Sequence, residues 1–427
     1  MSSKFSELFE LPQTPAQWEK YVTRETIQAP RDSIKRKMTT EEISNLHVGE
    51  HPINLSIRDL SGWQSASEVK LAHFLTTRIL WKFVPLDSLK RGGLLGISKD
   101  VKEYVSKYLR DDAPDFVAYL EDMDTNPARQ PPPGQATPLG IFTWVRSLQW
   151  QIIQNANMGD EPPAGPSLGR RSLGGPVHLG LDGTMDSEGD TTMDDSDGSE
   201  TTNDDYTDDN ISEVTTDEYT EPGSVADETV SLFSDESFVP DAVIQTDGED
   251  VVNVSLLALL SALTLRCERA RLDWDVKKKR LDSNLGHAKI RSVNDGCLRD
   301  RETGDVLAVV ETKPFRLFRS PEQTLMQMGL ELLAHILDCV QNERQKNRYY
   351  LFSQHYNGTY VTWATFDPGY IDYLTGKNGA GAATRDFLDL RCVGPFAIDK
   401  SSHALTFALL VVGLVVQDSE DRLRRKV

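Results

Sequence analysis

The stretch Val306-Leu307-Ala308-Val309-Val310-Glu311-Thr312-Lys313 decides how the rest of the chain is read. Its apolar run, rich in Val, predicts a buried strand. Side chains alternate between the faces of a strand, so Glu311 and Lys313 share one face at its end. A carboxylate beside an ammonium there is either a salt bridge at the strand mouth or part of a metal-dependent phosphodiesterase site. In the second case Glu311 holds the metal, and Lys313 stands near the attacking water or the phosphate. A second Glu-x-Lys, Glu68 to Lys70, follows polar residues and leads into an amphipathic run, which predicts a helix surface.

Working upstream, Glu302-Thr303-Gly304-Asp305 predicts a turn. With the turn centred on Thr303, Asp295 lies as far before it as Glu311 lies after it. Directly opposed residues share a face roughly 5 Å apart at Cβ. Asp295, Glu311 and Lys313 are therefore expected to converge on one side, while Asp300 and Asp305 stay at the turn. Before this hairpin come 288–299, with Ile290, Val293 and Leu298 apolar, a turn at Gly286 and a short strand within 274–281. Earlier still, 251–265 predicts an apolar helix with Asn253 as its cap, ending at Arg266-Cys267-Glu268-Arg269.

Downstream, 322–341 predicts a helix with the stripe Leu325, Met328, Leu332, Leu333, Ile336 and Val340. Gln323, Gln327 and Glu331 recur every four residues on a neighbouring face. Asn357-Gly358 between two aromatic-rich runs predicts a hairpin of 348–354 with 359–366. The run Gly376 to Gly381 lacks the phosphate-loop pattern and predicts a flexible loop. Ala404–Val416 closes the domain and falls short of the roughly 20 residues that span a bilayer. Residues 418–427 predict a frayed basic tail.

The formal charge of −20 is uneven: residues 181–250 hold 24 Asp and Glu and no Lys or Arg, so the remainder carries +4. An acidic total therefore does not exclude a nucleic-acid partner. Low hydrophobicity and like charge predict disorder for the linker 158–250. Residues 1–50 predict a flexible segment, with Lys35-Arg36-Lys37 as a weak import signal. Residues 51–157 predict a small, mainly helical region with its Trp residues, Trp63, Trp81, Trp144 and Trp150, in the core. The four cysteines lack zinc spacing and predict free thiols. The N-terminus has no signal core, and the chain is expected to be intracellular, in nucleus or cytoplasm, with neither a membrane segment nor a small-molecule cofactor.

The order helix, strand, strand, strand, helix, strand, with Asp295 on the second strand and Glu311-Thr312-Lys313 on the third, resembles the PD-(D/E)XK nuclease superfamily. More narrowly, 251–417 is similar to the nuclease-like domains of many fungal proteins. The resemblance implies an α/β (α+β) fold with a restriction-endonuclease-like αβββαβ core and a central mixed sheet. It implies catalytic roles for Asp295, Glu311, Lys313 and Gln327. It also implies Mg2+ or Mn2+ held by Asp295, Glu311 and the Thr312 carbonyl, with Glu268 as a further candidate ligand, and DNA or RNA as the partner. Asn294 before Asp295, Gly296 after it, and Glu331 where Tyr is common depart from the family pattern. The alternative is an inactive nuclease-like fold that binds nucleic acid or protein.

Overall fold

The computed structural model describes residues 11–28, 62–86, 88–89, 96–126, 137–157, 248–285, 288–317, 321–344, 346, 348–375 and 386–426. The expectations for Lys35–Lys37, the linker up to residue 247, the Gly286 turn and the Gly376–Gly381 loop lie outside these residues.

In chain order the elements are α1 (Pro15–Gln28), β1 (Gly62–Ser65), α2 (Leu71–Thr76), β2 (Ile79–Val84), α3 (Lys99–Lys107), α4 (Pro114–Thr125), α5 (Phe142–Asn157), α6 (Gly248–Thr264), β3 (Leu272–Asp275), β4 (Lys279–Asn284), β5 (Ala288–Asn294), β6 (Gly296–Asp300), β7 (Val306–Lys313), α7 (Pro321–Gln341), β8 (Tyr349–His355), β9 (Gly358–Thr365), α8 (Pro368–Thr375), β10 (Leu388–Ala397) and α9 (Ser401–Lys426). The fold is α+β. One mixed sheet of seven strands runs in the order β2-β10-β9-β8-β7-β6-β3, and a sheet of three runs β1-β5-β4.

β7 sits inside the large sheet, antiparallel to β6 and parallel to β8. Its run is apolar on both faces because both are covered. On one side Ala308 and Val310 join a core with Leu256, Leu260, Val411 and Val415 from α6 and α9. On the other, Val309 joins Leu325, Leu332 and Leu333 from α7.

The segment expected to stand apart at 51–157 shares this architecture. β2 pairs in parallel with β10, Ile79 against Leu388 through Val84 against Val393, and forms one edge of the sheet. The apolar residues 69–80, expected on one helix, divide between α2 and β2 at Arg78, whose φ is 54°. Side chains of α3, α4 and α5 complete the α6/α9 core. Trp81 is buried as expected, whereas Trp144 is 54% exposed. Within the expected flexible N-terminus, α1 packs Trp18 and Val22 on Leu75 and Leu80.

Between α6 and α7 the expected three strands are five. β3 pairs with β6 and β4 with β5, so two antiparallel arms each bend once, at 276–278 and at Asp295, and pass from the large sheet to the small one. The register expected about Thr303 holds from Gly296 opposite Val310 to Leu298 opposite Ala308. Asp295 also donates its N–H to the Val310 carbonyl, at 3.0 Å. Two residues thus meet one, which is a β-bulge, and it re-aims the Asp295 side chain. The bulge needs Gly296. A Cβ there would lie 2.9 Å from both the Asp275 carbonyl oxygen and Leu257 Cδ2. Gly296→Val is expected to destabilise the fold by about 1–3 kcal/mol, read as a lower urea midpoint; an unchanged midpoint would sink this account of the bend.

Two further expectations are corrected. Asn253 lies inside α6, not at its cap, because the acidic Glu249 and Asp250 already form the helix's first turn, where they favour the positive end of its dipole. The tail is not frayed: α9 runs to Lys426, and Arg422 pairs with Asp300 at 2.8 Å and with Asp305 at 2.9 Å. Among the described residues α9 is the one helix long and apolar enough to cross a membrane, yet its apolar stretch is largely buried within the fold.

Candidate active site

Strand alternation puts Glu311 and Lys313 on the α7 face of β7, at the end where the strand leaves the core. Lys313 Nζ lies 2.7 Å from Glu311 Oε1, with Glu311 1% exposed. From α7, Gln327 donates its amide to Glu311 Oε1 at 2.7 Å and to Glu331 Oε1 at 2.9 Å. A spacing of four residues stacks Gln327 and Glu331 on one helix face, and that face looks at β7, so Glu331 is buried. Gln327 therefore joins the pair through its amide.

Glu331, predicted only as part of a polar helix face, is a second buried acid of the site. Its periodicity with Gln327 was the signal for it. Glu249, at the start of α6, lies 3.3 Å from Lys313 Nζ. Glu268 is exposed beyond the other end of α6. A helix rises about 1.5 Å per residue, so the two acids stand at opposite ends of a rod, and Glu268 is not part of this cluster.

Asp295 lies beside the pair, not on it. Its Oδ2 accepts from the Thr312 N–H and from the Thr312 hydroxyl, both at 2.9 Å. Its Oδ1 lies 3.4 Å from Lys278 Nζ. Thr312 points to the face opposite Glu311, and the bulge turns Asp295 toward it. The Lys313 carbonyl accepts from Tyr356 N–H at 2.9 Å, on the β8 side. Thr312 is turned the other way, its N–H directed at Asp295.

The electrostatics follow from burial. Desolvation, then the Asp295 charge, pushes the Glu311 carboxyl up to about 7, against the pull of Lys313. Burial and then Glu311 hold Glu331 well above the usual carboxylate range. Burial works against the Lys313 charge, but Glu311, then Glu249 and Glu331, keep its ammonium above the ordinary value. Two buried carboxyls and one lysine leave negative charge to be met by protons or by a cation.

β8 adds two residues that sequence reasoning passed over. Ser353 pairs with Glu311 and His355 with Lys313, so both share the site face. Both are buried, and neither Ser353 Oγ nor either His355 ring nitrogen has a hydrogen-bond partner among the described residues. Burial and then the Lys313 charge push His355 down to about 3, so the ring is neutral. The signal for them was the alternation Tyr349, Leu351, Ser353, His355, which turns polar at the strand end as β7 does.

Among the described residues no three His, Cys, Asp or Glu side chains stand together closely enough to hold a metal ion. Carboxylate oxygens of the kind Glu311 and Asp295 carry are those that Mg2+ or Mn2+ take, through one or two carboxylates with several waters kept. Glu311 Oε2 is buried without a partner, and the buried negative charge favours a cation. Compared with known proteins, the chain matches no family model and no curated protein.

Proposed function

We propose that this chain is a metal-dependent phosphodiesterase that cuts DNA or RNA. The observation that carries the reading is the Glu311–Lys313 pair, closed by Gln327, at the mouth of a buried central strand. The topology supports it. If each bent arm counts as one strand, α6, two arms, β7, α7 and β8 follow the helix, strand, strand, strand, helix, strand order of a restriction-endonuclease-like core. Glu311, Asp295 and the Thr312 carbonyl would hold Mg2+ or Mn2+. When bound, the ion polarises a phosphoryl oxygen and makes a water more acidic.

The chain's own residues do the rest. Gln327 fixes the Glu311 carboxylate in one rotamer. Lys313, held cationic, orients the attacking water and offsets charge that develops on the phosphoryl oxygens. Neutral His355 adds no competing positive charge beside Lys313. The four cysteines, all buried and free, fit the reducing interior of a cell, nucleus or cytoplasm.

A second reading, a non-catalytic nuclease-like binding module, is favoured by one observation: Asp295 is engaged by Thr312 and Lys278. A cleavage assay on plasmid DNA and RNA with Mg2+ or Mn2+ separates the two. The first expects cutting by wild type and a loss of about 10²-fold or more in Glu311→Gln. Salt-sensitive binding without any cutting, unchanged in Glu311→Gln, supports the second.

A further inference from the structure

The corner at which the arms bend is rich in basic residues. Residues 276–294 hold six Lys or Arg against a single Asp, in a chain whose formal charge is −20. Four of the cations are consecutive, Lys277-Lys278-Lys279-Arg280, and all four are exposed. Lys277 and Lys279 pair with no carboxylate among the described residues. On the facing strand Arg291 shares Asp282 with Arg280, at 3.2 Å and 2.7 Å, so the single acid is divided between two guanidinium groups. Val276, 70% exposed, and Val293, 48% exposed, stand among these charges. Lys278 Nζ reaches Asp295 Oδ1 at 3.4 Å, and Asp295 is bound to Thr312 at the end of β7. The basic corner therefore adjoins the candidate active site through two successive contacts.

We propose that this corner, Lys277 to Arg280 with Arg291, is the surface on which the phosphate backbone of a nucleic acid is seated beside Glu311 and Lys313. The inference deepens the phosphodiesterase reading and rests on it for the nature of the substrate. Exposed cations such as Lys277 and Lys279 neutralise backbone phosphates and release the counterions condensed on the nucleic acid, so such binding weakens with salt in proportion to the phosphates neutralised. Exposed side chains at a bend can be changed without opening the core.

The test is binding of a labelled DNA duplex by the full chain, without divalent metal, at several salt concentrations. Single-stranded DNA and RNA of equal length run as parallel arms to show which backbone is preferred. Lys277→Ala/Lys279→Ala is expected to weaken binding at least about tenfold at low salt, and to lower the slope of log affinity against log salt by about two. Lys99→Ala/Lys107→Ala on α3 is the control for net charge. Binding by the arm variant equal to wild type, equal losses in both variants, or no nucleic-acid binding by wild type would each overturn the proposal. The two readings fail separately. Cleavage by wild type with an indifferent arm variant removes this surface and leaves the phosphodiesterase. Arm-dependent binding without cleavage or Mn2+ binding leaves the surface and removes the enzyme.

Discussion

Lys313→Met is expected to reduce phosphodiester cleavage by about 10²–10³-fold, the usual loss when a preorganised charge-stabilising group is removed. It is also expected to make stability depend steeply on pH. Glu311 is 1% exposed and its ion-pair partner is Lys313 at 2.7 Å. Without the lysine, two buried carboxyls, Glu311 and Glu331, lose the cation between them. A carboxyl whose folded-state pKa is raised contributes stability fully below its unfolded value and loses it as pH rises through the folded value. Glu311 already sits at about 7 against an ordinary 4.5, and Lys313 is what holds it down. The variant should therefore lie close to wild type at pH 5, where both carboxyls are protonated. It should fall about 1 kcal/mol below it at pH 8, one unit past the wild-type Glu311 value, and further as pH rises, because Glu311 without Lys313 stays protonated to higher pH. Urea unfolding at the two pH values reads this directly. Equal loss at both would mean that the pair is not the electrostatic centre of the site.

Trp81→Ala is expected to destabilise the whole fold by about 3–5 kcal/mol, the range for deleting a buried aromatic side chain. Trp81 is 1% exposed. It stacks on Phe83 with ring centroids 6.3 Å apart, and its backbone N–H, which the substitution keeps, donates to the Pro12 carbonyl at 3.0 Å. It faces Leu390 across the parallel β2–β10 ladder. If β2 is an integral edge of the large sheet, calorimetry shows one transition, moved to lower temperature. Two transitions, with the one from 248–426 unmoved, would show that the N-terminal elements fold apart from the sheet.

Local patterns carried much of the architecture into the sequence. The apolar run of β7 and the 3.6-residue stripe of α7 each lie within a short window, and each element forms where its pattern puts it. The hairpin expected at Asn357-Gly358 also forms, but one residue earlier, with Tyr356-Asn357 as its loop and Gly358 of β9 paired with His355. The hairpin register about Thr303 was legible only in part: it holds from Gly296 to Leu298, shifts by one residue at Arg299, and does not set Asp295 opposite Glu311. Long-range pairing was not legible. Nothing near Ile79 announces that it will pair with Leu388, and a buried parallel strand reads like any short apolar run. The first arm bends at Val276-Lys277-Lys278, where the apolar alternation stops, and the sequence shows that stop only as a charged segment. The bulge at Asp295 moved one side chain off the face that simple alternation assigned to it, since register errors of one residue change the face. Glu249 was hidden by composition: it ends an acidic run, yet it opens α6. Glu331, Ser353 and His355 are residue types usually found at surfaces. Only the approach of α7 to the ends of β7 and β8 buries them.

The measurement closest to the central claim is calorimetric titration of Mn2+ into the full chain at pH 8, beside Glu311→Gln. Glutamine keeps the shape and the amide contacts of the buried position while removing the anionic oxygens. Wild type is expected to bind Mn2+ and the variant to lose that binding by tenfold or more, as is usual when a carboxylate ligand is removed from an oxygen-donor site. Equal binding by both proteins, or none by wild type even with a DNA duplex present, would contradict a metal centre built on Glu311.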